Sequence, residues 1–254
     1  MVIKGEKAKI LSFAREDILP WRCGKYIKLK SFMDSAVNSC VLHESENQRG
    51  KALLVGDSHA DSLKIAFREA ANLADFDALF MMESCNPGRG KCQLEKILNE
   101  VVSKNIDKLI VHGLHSNINY EKLIALAQQL PDNVDFYFVK PIPTYSTSIP
   151  SYLYLHIDRD MDNLYFADME NILQLYAKYD KSIHLLSKQG IHIVETIDVF
   201  CNPHCKLTEK GVPLYYDSHH LTNSGSLLLK ERLFEDVFTK VTIDPQVALP
   251  NLSP

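Results

Sequence analysis

No apolar run in these 254 residues approaches the roughly 20 needed to span a bilayer as a helix. The amino-terminal stretch MVIKGEKAKILSFARED also lacks the continuous apolar segment of a secretory signal. Positive charge is not in excess. A net charge of −4 and a pI near 6.2 argue against a nucleic-acid partner held by phosphate neutralisation. The basic stretch Lys25–Lys30 is too short to change that, and reads as a solvated face. There is one tryptophan, no internal repeat, and no low-complexity linker after residue 51. With 46% hydrophobic residues, the chain can bury a core as one large domain or two small ones.

Cysteine is not scarce. The six cysteines fall as Cys23/Cys40, Cys85/Cys92 and Cys201/Cys205, sequence-local pairs among turn residues such as SCNPGRGKC and FCNPHCK. Reduced cytosolic thiols would mostly lie in the core, so this placement favours three disulfides and an oxidising compartment. Zinc is the competing reading, because Cys201, His204 and Cys205 could act as ligands. The C-x6-C and C-x3-C spacings do not match paired zinc knuckles, so no metal is expected. Six cysteines allow fifteen connectivities, and peptide mapping without reductant distinguishes them. An oxidising compartment without an export signal implies that Met1 marks a fragment of a longer exported or membrane-anchored protein.

Residues 1–50 show no sustained period and read as an irregular lead-in. From Lys51 short apolar runs alternate with helical patterns. Strands are expected at Ala52–Val55, Ala78–Met82, Leu109–Val111, Val134–Val139 and Ile191–Thr196. Helices are expected after Ser58, at about 93–104 and 120–130, as one long element over 161–188, and at 224–237. Residues 241–254 read as a tail. This alternation predicts one three-layer α/β/α domain over 51–240, with a parallel sheet of about five strands.

In such sheets ligands bind at the carboxyl ends of the strands. Ser58 of LLVGDSHADSL stands there, where a strand meets a helix. Free N–H groups and the positive end of the helix dipole converge at that point and can stabilise an oxyanion. Asp57 and Ser58 are also good helix caps, a purely structural alternative. The second stretch is LYYDSHHLTNSGS. A turn puts Asp217 and His220 on one side, and a carboxylate beside an imidazole orients it to take a serine's proton. The structural alternative is a turn capped by Asp217 with solvated histidines. His219 competes as the base, but its spacing on a helical turn would point it away from Asp217.

Gly56-Asp57-Ser58-His59-Ala60 with Asp217-x-x-His220-Leu221 resembles the SGNH/GDSL hydrolase superfamily rather than the G-x-S-x-G hydrolases. More narrowly it is similar to the extracytoplasmic SGNH domain fused behind the membrane domain of acyltransferase family 3 proteins. Ser84-Cys85-Asn86-Pro87, Cys201, Cys205 and Pro213-Leu214-Tyr215-Tyr216-Asp217 support this over about residues 23 to 238. The resemblance implies a flavodoxin-like fold and an acyl-enzyme on Ser58, with His220 as base and Asp217 orienting it. It also implies oxyanion donors from the Ser58 N–H, a backbone N–H near Gly88, and a side chain after the third strand. That last segment, Val111-His112-Gly113-Leu114-His115-Ser116-Asn117, departs from the usual G-x-N-D and lacks the tryptophan often seen in this branch. Asn117 or His115 could donate there.

The implied activity is O-acetylation of a cell-surface polysaccharide such as lipopolysaccharide O-antigen, in the periplasm and tethered to the inner membrane. A carbohydrate acetyl-esterase is the alternative, and a non-catalytic carbohydrate-binding domain the third. No cofactor is expected on this domain. Nothing resembles a phosphate cradle for acetyl-CoA, so a membrane partner domain would handle the acetyl donor.

Overall fold

The computed structural model describes residues 5–17, 39–82 and 94–239. Helix α1 (Glu6–Glu16) comes first, then strands β1 (Cys40–His43) and β2 (Gly50–Gly56), helix α2 (Ser58–Leu73) and β3 (Phe76–Met82). Next are α3 (Leu94–Lys104), β4 (Lys108–His112), α4 (Tyr120–Ala127), β5 (Asp135–Val139) and α5 (Ile149–Leu155). Strand β6 (Tyr165–Asp168), α6 (Met169–Tyr176), α7 (Asp180–Lys188), β7 (His192–Val194) and α8 (Ile197–Phe200) follow. Three short strands, β8 (His204–Lys206), β9 (Thr208–Glu209) and β10 (Val212–Pro213), lead to α9 (Asn223–Leu227) and α10 (Lys230–Leu233).

The main sheet runs β1-β3-β2-β4-β5-β7. Its five expected strands are all parallel, and β1 adds an antiparallel edge against β3. The strands read as unbroken apolar runs because both faces are covered. Leu53 and Val55 enter one core with Ile97, Val101, Leu123, Leu126 and Leu186, while Ala52 and Leu54 enter the other with Leu63, Phe67, Ile149 and Phe200. Three layers result.

The secondary structure departs from the sequence reading in three places. The lead-in is not irregular throughout, since it supplies α1 and the edge strand β1. A four-residue edge strand is too short to show a period. The expected single helix over 161–188 is broken into a short 3-10 turn, β6, α6 and α7. Strand β6 pairs with β8, and the Asn171 side chain accepts from the Asp168 N–H to start α6. A tertiary pairing overrode the helical pattern there. The closing helix is also divided, and ends in a wider π-helical turn at Phe234–Thr239.

Topology places the site. From β2 the chain steps to β3 on one side, then returns to β4 on the other. The crevice at such a reversal, at the carboxyl ends, is where α/β sheets bind ligands. Gly56 ends β2 and His112 ends β4, paired in register. They are close enough that a Cβ at Gly56 would overlap the His112 carbonyl and press on Ala60. That contact explains the small residues of GDSHA in packing terms.

Candidate active site

Asp57 has extended backbone angles and caps α2, its Oδ1 accepting the His59 N–H at 2.9 Å. Ser58 is therefore the first residue of a 16-residue helix and is exposed at its positive end. The structural reading of Asp57 holds, and it sets up Ser58 instead of competing with it.

The partner loop lies 162 residues away. Asp217 Oδ1 accepts the backbone N–H groups of His219 and His220 at 2.8 and 2.7 Å, which closes the turn. Its other oxygen, Oδ2, lies 2.7 Å from His220 Nδ1. Facing a carboxylate, Nδ1 carries the proton. His220 Nε2 then lies 2.7 Å from Ser58 Oγ as the acceptor. Other contacts hold the loop. The Tyr145 N–H donates to the Ser218 carbonyl, the Ile149 N–H to the Asp217 carbonyl, and Thr222 caps α9. Ser58, His220 and Asp217 thus form one hydrogen-bonded chain.

The local electrostatics suit a persistent carboxylate. Burial pushes the Asp217 carboxyl up, but hydrogen bonds from the His220 ring and the His219 and His220 N–H groups outweigh it. The pKa is held at about 2.

His219 is not turned away. The segment is a bend, not a helical turn, and His219 Nδ1 lies 3.7 Å from Asp217 Oδ1 and 2.7 Å from Ser218 Oγ. Of the two, His220 bridges carboxylate and serine.

The two candidates in the loop after β4 separate clearly. His115 is buried, hydrogen-bonded through Nδ1 to Tyr120 and stacked flat on Tyr179, so it is a core residue. Burial pushes its pKa down to about 3. Asn117 reaches the serine turn, where its Nδ2 donates to Asp57 Oδ2 at 2.7 Å. Gly88 lies outside the described residues.

Sequence reasoning assigned no role to His59. It is 2% exposed, with its ring centroid 4.6 Å from that of His220 and 5.2 Å from that of His219. Burial lowers its pKa to about 3, despite the Asp57 charge. The only available signal was its adjacency to Ser58. Burial likewise lowers the pKa of His112, whose Nδ1–H donates to the Val139 carbonyl.

Cys201 and Cys205 form a disulfide, which removes both thiolates from the zinc reading. Cys40 is also disulfide-bonded. Cys23, Cys85 and Cys92 lie outside the described residues.

Residues 24–235 match the family described as the SGNH domain fused to AT3 domains. The chain belongs to this family. Among solved structures it is similar to the periplasmic domain of the lipopolysaccharide acetyltransferase of Salmonella ser. Paratyphi A. The TM-score is 0.62 and the identity 16%, over 91% of this chain and 98% of that one. This likeness is one of fold. A proposed acylhydrolase from Bacteroides fragilis matches with a TM-score of 0.45 and 9% identity, over 84% of this chain and 94% of that one. No curated protein sequence matches. Among the described residues, no helix is long and apolar enough to cross a membrane.

Proposed function

We propose that this SGNH domain is the catalytic part of an O-acyltransferase that moves an acetyl group, through an acyl-enzyme on Ser58, to a hydroxyl of a cell-surface polysaccharide. The observation that carries the reading is the Asp217–His220–Ser58 chain at the amino end of α2. His220 Nε2 takes the Ser58 hydroxyl proton as Oγ attacks the acyl carbon. The Ser58 N–H, a backbone N–H near Gly88 and the Asn117 amide serve as the oxyanion donors. His220 returns the proton to the leaving oxygen, and the acetyl group stays on Ser58. An acceptor hydroxyl then gives its proton to His220, attacks the ester, and frees Ser58. Asp217 stays ionised and holds the imidazole in the productive tautomer.

Membership of a family fused to AT3 domains supports a membrane partner domain that supplies the acetyl group from acetyl-CoA. Fold similarity to a periplasmic acetyltransferase domain, together with the disulfides, supports a periplasmic location. The exposure of Ser58 favours a second reading, because water can reach the same acyl-enzyme and an acetyl-esterase would use the same residues.

The test uses an aryl acetate with and without an oligosaccharide acceptor. Slow hydrolysis alone, diverted to acetylated glycan when acceptor is present, is the expected result. Ser58→Ala should abolish both, and should also prevent labelling by an organophosphonate. Rapid deacetylation of acetylated glycans with no transfer product would favour the esterase. Undiminished turnover in a folded Ser58→Ala variant would remove the mechanism altogether.

A further inference from the structure

The three histidines beside the serine do more than flank it. One ring nitrogen each from His59, His219 and His220 lie within 4.8 Å of one another. Among the described residues this is the only such group of three. The His220 Nδ1 proton is held by Asp217, and His219 Nδ1 is engaged by Ser218 Oγ, so each ring is oriented through Nδ1. A carboxylate or hydroxyl on one imidazole nitrogen, with the other left for a cation, is how metal-ligating histidines are oriented. A second observation comes from His59. It is almost wholly buried, and its Nδ1 has no hydrogen-bond partner. A buried ring nitrogen without a partner is costly unless something occupies its lone pair.

We propose that His59, His219 and His220 form a binding site for a transition-metal dication of the zinc class, and that the bound ion shuts off Ser58. Zinc–nitrogen bonds are about 2.0–2.1 Å, which puts tetrahedral ligand atoms about 3.4 Å apart. Closing from 4.8 Å needs the half-buried His219 ring to rotate away from its stack on His59 and its contact with Ser218 Oγ. Neutral imidazoles bind through lone pairs, so no covalent bond in the protein breaks and no proton leaves, and at His220 the hydrogen bond given up is the one from Ser58. The cost falls on the serine. His220 Nε2 is the acceptor of the Ser58 hydroxyl, and an ion on that lone pair leaves Oγ with no base. The three-nitrogen set favours copper(II) and zinc over cobalt(II), and offers nothing to magnesium or calcium.

The metal site stands apart from the acyl-transfer reading, because binding can be read without turnover. Untagged domain is titrated with cobalt(II) and followed by its visible d–d absorption, with zinc displacing it. In parallel, aryl-acetate turnover is measured against added zinc, with EDTA reversal. The expected result is one cobalt per chain, retained in Ser58→Ala, and zinc inhibition that EDTA reverses and magnesium does not reproduce. His219→Ala should need about tenfold or more zinc than wild type for the same fractional inhibition, read relative to its own uninhibited turnover. His59→Gln, checked for an intact fold by its thermal midpoint, should shift likewise. Absence of a cobalt spectrum and of zinc inhibition overturns the proposal. Equal inhibition in wild type, His219→Ala and His59→Gln also overturns it, because the ion would then block His220 alone.

Discussion

Asp217→Asn is a more damaging substitution than its similar size suggests, and the turn geometry says why. Asp217 Oδ1 accepts two backbone N–H groups, from His219 and His220. An amide NH2 in that position would face two donors, so the asparagine must keep its carbonyl oxygen there. Its NH2 then takes the place of Oδ2, 2.7 Å from His220 Nδ1, and donates to it. Nδ1 becomes an acceptor and the ring proton moves to Nε2. That tautomer donates to Ser58 Oγ and cannot take its proton. A wrong-tautomer triad loses about 10^4-fold in kcat, or about 5.5 kcal/mol in barrier height. Asp217→Ala merely frees Nδ1 without imposing the wrong tautomer, so Asn should be at least as slow as Ala. The assay is kcat/KM toward an aryl acetate for both variants. The thermal midpoint of Asp217→Asn should stay near that of the parent, because the turn keeps its acceptor. An Asn variant within about tenfold of the parent, or well above Ala, would refute the reasoning.

Asn117→Ala removes the proposed oxyanion side chain and should lower kcat by about 10^2–10^3 with little change in KM. A change of only a few-fold would make Asn117 a partner of Asp57 and nothing more. Acid should destabilise the fold through its buried neutral histidines. His59 and His115 fall from 6.5 to about 3 on folding, so the unfolded chain binds more protons between those values. Stability is therefore full above about pH 6.5 and declines as pH falls toward 3, by on the order of 2–3 kcal/mol per histidine at pH 4.5. Denaturant titrations at a series of pH values would show this, and His115→Phe should flatten the slope. An unchanged slope in that variant would count against the assignment.

The sheet was legible because its physics is local. A strand covered on both faces must be apolar at every position, so Leu53–Val55, Leu109–Val111 and Phe136–Val139 stand out without any partner in view. Family membership was legible for a similar reason. Gly56 and Ala60 are constrained by close packing where β2 meets α2, and Asp217 and His220 by a single turn. Sequence alone therefore determined the layer architecture, the serine turn and the carboxylate–histidine pair. Tertiary structure decided what depends on contacts between distant segments. It brought Ser58 to His220, set the Asn117 amide on Asp57 while burying His115 against Tyr120 and Tyr179, and stacked His59 against the site. It also broke the 161–188 pattern by pairing β6 with β8, and recruited β1 to the edge of the sheet. A periodic pattern records which face of an element is buried, but not which other element buries it. Only the folded chain supplies that second fact.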